Sequence, residues 1–208
     1  MKNLILLIGF TYFDKYFFNP SEDVVRALDR TNIRGYRITA IILPVSFKRA
    51  LNKLCKAIED LKPRIALGVG LAPKINKPVI ELVAVNVAHA EYGDVDGYKP
   101  FCEFLEPKAP FTVSTNLPYR KCLEKCKRRG LKLDVGVSIG TYLCNAVAYT
   151  LISKIKSYGG TAGFIHIPPH TDLAMRLRLP NYIPLHEIIE TVRCILEITI
   201  EEIEDLNK

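Results

Sequence analysis

Leu4-Ile-Leu-Leu-Ile-Gly-Phe10, followed nine residues on by Asn19-Pro20-Ser21-Glu22, decides the fold class. Seven residues without a polar side chain suit a strand covered on both faces, since a half-exposed strand would alternate. Asn19 suits a helix cap, Pro20 the first helical position and Glu22 the third, so a helix starts there. The same pairing recurs along the chain. Apolar runs at 37–45, 65–70, 82–87, 135–139 and 162–167 read as buried strands, and helical patterns occupy 46–61, 117–129, 142–157 and 185–206. The last carries Leu185, Ile188, Ile189, Val192, Ile195, Leu196 and Thr199, a stripe at helical spacing. Alternating strands and helices predict an α/β three-layer sandwich: a twisted, largely parallel central sheet with helices on both faces. Residues 89–110, with two glycines and three prolines, read as one long irregular loop.

Composition sets outer bounds. At 208 residues one domain spanning 1–208 is expected. A chain 49% hydrophobic and 25% charged is neither disordered nor collagen-like nor a coiled coil. The net charge of +7 permits a polyanionic partner without requiring one. Arg120, Lys121, Lys125, Lys127, Arg128, Arg129 and Lys132 are dense, but they end a helical pattern, where cations suit the helix dipole. With no nucleic-acid motif around them they read as a solvated face, and no specific nucleic acid is expected. Six cysteines are too few for a disulfide scaffold. The apolar start at 4–8 is too short to span a membrane and has no cleavage pattern behind it. A soluble cytoplasmic protein is expected. The absence of Gln beside abundant Ile, Lys and Glu points to a hyperthermophile.

In open α/β sheets, ligands gather where strands end and helices begin. Three such points stand out: after Phe10, after Gly70 and after Ile139. The third, Val135-Gly-Val-Ser-Ile-Gly-Thr-Tyr-Leu-Cys144, runs from strand into helix. With Thr141 as cap, Cys144 takes the third helical position, beside unsatisfied N–H groups and the positive end of the dipole. Both favour the thiolate, the nucleophilic form, although a small buried residue packing the first turn would look the same. A thiol nucleophile needs a base and a group to orient it. Among His89, His166, His170 and His186, His166 lies at a strand end, after Gly163-Phe-Ile165 and before Ile167-Pro-Pro169. His170 and His186 read as surface groups and His89 as a lesser candidate. Glu81 opens Glu81-Leu-Val-Ala-Val-Asn86 and is the candidate carboxylate. Together these residues suggest a Cys–His–acid arrangement.

The same residues carry a family resemblance over nearly the whole length. Gly9-Phe10 through Phe13, Asn19-Pro20-Ser21, Leu43-Pro44-Val45, Glu81-Leu-Val-Ala-Val-Asn86, Ser138-Ile-Gly-Thr-Tyr-Leu-Cys144-Asn145 and Gly163-Phe-Ile-His166-Ile-Pro168 resemble, in order and spacing, the motifs of pyroglutamyl peptidase I. The resemblance implies a cysteine exopeptidase that removes amino-terminal pyroglutamate from peptides through a thioester acyl-enzyme. Cys144 would be the nucleophile, His166 the general base and then acid, and Glu81 the orienting carboxylate. Phe10 and Phe13 would press on the lactam ring, Asn19 and the Leu71 backbone would contact the lactam, and Tyr142 would line the same pocket. The resemblance also implies a homo-oligomer, a tetramer in many relatives, and no cofactor.

The chain departs from the family pattern at three places. Thr11-Tyr12-Phe13-Asp14-Lys15 replaces a segment with Glu-Pro and Gly-Gly, Pro73-Lys74-Ile75 replaces Gly-Gly-Arg, and His89-Ala90-Glu91 replaces Asp-Ala-Arg, reversing one charge. A retuned or inactive relative that binds another blocked amino terminus is the alternative these changes raise. Cys122 and Cys126 share a helix face, but no second ligand pair accompanies them, so no metal site is expected. A bridge from Cys194 to its symmetry mate across an oligomer interface is a further expectation.

Overall fold

The structure is a computed structural model that describes residues 2–12 and 18–206. Strands are β1 (Lys2–Phe10), β2 (Asn32–Ile33), β3 (Tyr36–Leu43), β4 (Pro63–Leu71), β5 (Val79–Glu81), β6 (Val83–Val85), β7 (Thr112–Ser114), β8 (Asp134–Gly136) and β9 (Thr161–Ile167). Helices are α1 (Pro20–Leu28), α2 (Phe47–Leu61), α3 (Tyr119–Arg128), α4 (Leu143–Lys156), α5 (Thr171–Leu177) and α6 (Leu185–Leu206).

Seven strands form one sheet in the order β2-β3-β1-β4-β9-β5-β8. The central four, β3, β1, β4 and β9, are parallel. β5 runs antiparallel to β9, and β8 follows β5. This is the expected α/β sandwich. Its apolar strands divide their side chains between two cores. Ile5, Leu7, Ile65, Leu67, Ile165 and Ile167 face the helices α1, α3 and α6. Leu6, Ile8, Phe10, Ala66, Ala162 and Phe164 face α2 and α4. Continuous hydrophobicity in the sequence is thus two period-2 patterns superposed, one for each covered face.

The run at 82–87 is not one strand. The chain leaves the main sheet after Glu81 and re-enters a two-stranded sheet of β6 and β7 at Val83. Both halves are apolar, so the break carries no compositional mark. Its consequence is that Glu81 ends β5 instead of opening a strand. Asn145, fully buried on α4, holds the displaced piece: its Oδ1 accepts the Val85 N–H at 2.8 Å and its Nδ2 donates to the Val85 and Val87 carbonyls at 2.9 Å each.

On the opposite face α3 and α6 are tied covalently. Cys194 forms a disulfide with Cys126 of the same chain, 68 residues away. This corrects the expected bridge to a symmetry mate, because the buried sulfur is already engaged. The basic stretch is also engaged. Lys121 pairs with Glu202, Lys125 with Glu201 at 2.6 Å, Arg129 with Glu197 at 2.5 Å and Arg128 with Glu124. Four of the seven cations that could have met phosphates face carboxylates instead, three of them on α6. Among the described residues no helix is long and apolar enough to cross a membrane.

Candidate active site

The three strand ends marked in the sequence meet at one place. Phe10 at the end of β1, Leu71 at the end of β4 and Cys144 at the start of α4 line a single cavity of about 230 Å³, with Asn19, Val45, Pro73, Tyr142 and Leu143. Phe13 lies outside the described residues. Asn19 is fixed from both ends of its amide: Oδ1 accepts the Ser21 N–H at 3.0 Å, capping α1, and Nδ2 donates to the Thr11 carbonyl at 3.1 Å. The lining is otherwise apolar and aromatic, which suits a small uncharged ring.

Cys144 sits at the second position of α4, not the third, because Tyr142 rather than Thr141 is the cap. Thr141 is used elsewhere: its hydroxyl donates to the His89 carbonyl at 3.1 Å, and its own carbonyl accepts the His89 N–H at 3.0 Å. Tyr142 makes no side-chain capping hydrogen bond. Cys144 thus lies in the first turn of α4, where backbone N–H groups lack intrahelical partners.

His166 and Glu81 complete the cluster. β5 and β9 pair antiparallel with Glu81 opposite Phe164 and Val79 opposite His166. Glu81 and His166 are therefore diagonal neighbours on one sheet face. The imidazole Nδ1 lies 2.7 Å from Glu81 Oε1. A carboxylate only accepts, so Nδ1–H is the donor and Nε2 is left for the sulfur. Cys144 is near enough to favour the protonated imidazole. Burial alone would lower the imidazole pKa, but the bonds to Cys144 and Glu81 outweigh it and hold the value at about 9.

Neighbouring residues make room for these groups, and the sequence reading did not single out their roles. A Cβ on Gly70 would lie 3.1 Å from the Cys144 sulfur and 2.9 Å from the Phe164 ring. One on Gly136, which pairs with Glu81, would meet Glu81 Oε2 at 2.5 Å. Phe164 is fully buried beneath the site, with its ring 5.3 Å from His166 and 6.3 Å from Phe10. Glycines inside apolar strands were the available signal, because they mark close approach by another group. Glu81 is 6% exposed, and its Oε2 has no hydrogen-bond partner among the described residues.

The remaining histidines separate cleanly. His186 is exposed, as expected. His170 corrects the sequence reading: it is 4% exposed, caps α5 by accepting the Leu173 N–H, points Nε2 at Asp23 Oδ2 at 3.1 Å and stacks on Phe18 at 5.2 Å. Glu91 is exposed and does not line the cavity that holds the sulfur.

The sequence model of pyroglutamyl peptidase matches residues 3–202 of this chain. The chain belongs to the pyroglutamyl peptidase family. It is 37% identical over 166 residues to a pyrrolidone-carboxylate peptidase of Thermococcus litoralis, covering 79% of this chain and 76% of that one. It is 34% identical over 205 residues to a pyrrolidone-carboxylate peptidase of Pyrococcus furiosus, covering 96% and 99%. The solved pyrrolidone carboxyl peptidase from Thermococcus litoralis superposes with a TM-score of 0.92 at 32% identity, covering 97% and 95%. A family fold is thus kept while about two residues in three differ.

Proposed function

We propose that this chain is a cysteine exopeptidase that releases pyroglutamate from the amino terminus of peptides. The observation that carries the reading is the His166–Glu81 hydrogen bond beside Cys144, whose sulfur lines a small, mainly apolar cavity. The lactam ring enters between Phe10, Leu71 and Tyr142, with Asn19 at the edge, so that the exocyclic carbonyl carbon of the scissile amide meets the sulfur. The Cys144 thiolate attacks, and the developing oxyanion meets backbone N–H groups of the first α4 turn. The tetrahedral intermediate collapses as His166 gives its proton to the departing amine, leaving a pyroglutamyl thioester. His166 then takes a proton from water, which attacks the thioester and frees pyroglutamate and the thiol. Glu81 holds the ring orientation and stabilises the imidazolium throughout.

In this reading residues 1–208 act as one peptidase domain, in the cytoplasm, as a homo-oligomer and most simply a tetramer. Peptides blocked by pyroglutamate are the partners. The test is turnover of a pyroglutamyl fluorogenic amide beside the matching prolyl amide. The rings differ chiefly in the lactam carbonyl and the charge at nitrogen. Preference for the pyroglutamyl compound supports the proposal, and equal rates or no release contradict it.

A further inference from the structure

A second recess, about 450 Å³, lies across one aromatic partition from the sulfur. Phe47 lines it, while Tyr142 lines the cavity holding Cys144, and the two rings meet edge-on at 5.3 Å. Val45 lines the smaller cavity and the next residue, Ser46, lines the larger. We infer that this recess receives an apolar side chain from the leaving peptide, within the first two residues after the scissile bond. The inference rests on the peptidase reading above.

The first argument is directional. Pyroglutamate is the terminal residue, so the rest of any substrate continues on the leaving side only. An extended chain advances about 3.3 Å per residue, and the two cavities are lined by touching rings, Tyr142 and Phe47, and by consecutive residues, Val45 and Ser46, so the first residues of the leaving peptide are the ones that meet the recess. The second argument is chemical. Phe47, Leu51, Ala88, Phe104 and Leu105 supply the apolar lining. The carboxylates there are already used. Asp94, buried, accepts the backbone N–H groups of Phe47 at 2.8 Å, Asp96 at 2.9 Å and Tyr98 at 3.0 Å. Asp96 forms a two-pronged pair with Arg49 at 2.6 and 2.8 Å. Glu103 accepts the Tyr98 hydroxyl at 2.6 Å. With its acids spoken for, the recess favours a neutral aromatic or aliphatic group over a cation. The third argument is rigidity. Asp94 fixes the start of α2, and the Val95 N–H donates to the Val45 carbonyl at 3.1 Å, so one loop braces both cavities.

The experiment compares kcat/KM for amidated pGlu-Ala-Ala, pGlu-Phe-Ala, pGlu-Ala-Phe and pGlu-Lys-Ala with the full chain. At least one phenylalanyl peptide should exceed the alanyl one by about tenfold, as partial burial of one aromatic side chain predicts, and the lysyl peptide should not. Phe104→Ala, at a residue 59% exposed and so outside the core, should collapse that ratio. Leu51→Glu, checked for an unchanged Tm, should do the same. Equal rates for the four peptides, or a ratio that survives both variants, overturns the inference while the peptidase reading stands. If none is cleaved, the peptidase reading itself fails and takes the inference with it.

Discussion

The two faces of the sheet are built on different terms. The face of α3 and α6 is pinned by a disulfide, ion pairs across the two helices and a core of Ile, Val and Leu. The face of α2 and α4 carries the strand ends, the glycines and the braced loop of residues 94–98, and there the cysteine, histidine and glutamate meet. One side ties the fold together and the other gathers the groups proposed to react. Changes on each side should therefore register in different measurements.

The largest expected effect is Cys144→Ala, which should lower kcat by on the order of 10⁴-fold or more. Calorimetry of the same variant should show Tm almost unmoved, since the sulfur is half-buried at a helix start. Replacing the bridge by Cys126→Ala with Cys194→Val should do the reverse. Closing a 68-residue loop stabilises by about 4 kcal/mol in the chain-entropy picture, a Tm fall of roughly 10–15 °C on removal, with kcat/KM kept at moderate temperature. A large loss of rate in the bridgeless variant would show that the two faces are not separable.

Glu81→Gln comes next, with kcat/KM falling by about 10²-fold. It also changes the pH profile. His166 is held at about 9, above its ordinary 6.5, by its bonds to Cys144 and Glu81. Its contribution to stability is therefore whole below about pH 6.5 and lost as pH rises through about 9. The rate should fall on the same alkaline limb as the proton donor disappears. Removing the carboxylate should move that limb to lower pH, and a limb that stays put would remove Glu81 from its assigned place. The smallest effect is Glu197→Gln on the exposed Arg129 pair, under about 1 kcal/mol by urea unfolding and weaker still in high salt.

Most of the architecture was legible because a sheet covered on both faces needs unbroken apolar strands, as at residues 4–10 and 65–70. The proposed site was legible where a polar residue interrupts an apolar run near a strand end, as His166 does near the end of β9. What escaped depends on pairing between distant segments. The break after Glu81 lies between two equally apolar pieces, and only the partners β9 and β7 distinguish them. Cys144 was displaced by one position because Thr141 spends its hydroxyl on His89, across 52 residues. The disulfide escaped for the same reason: its cysteines become neighbours only once α3 packs on α6. His170 looked like a loop residue among prolines, yet Asp23 and Phe18 bury it.

The most direct test is to trap the acyl-enzyme. The wild-type chain is mixed with a pyroglutamyl ester, quenched in acid within the steady state and mapped by mass spectrometry. The account predicts a pyroglutamyl group on the peptide bearing Cys144, absent from Cys144→Ala and accumulating further in His166→Gln, where the activated ester acylates without a proton donor and deacylation lacks its base. Turnover with Cys144 unmodified throughout, or the adduct found on Cys55 or Cys102 instead, would contradict it.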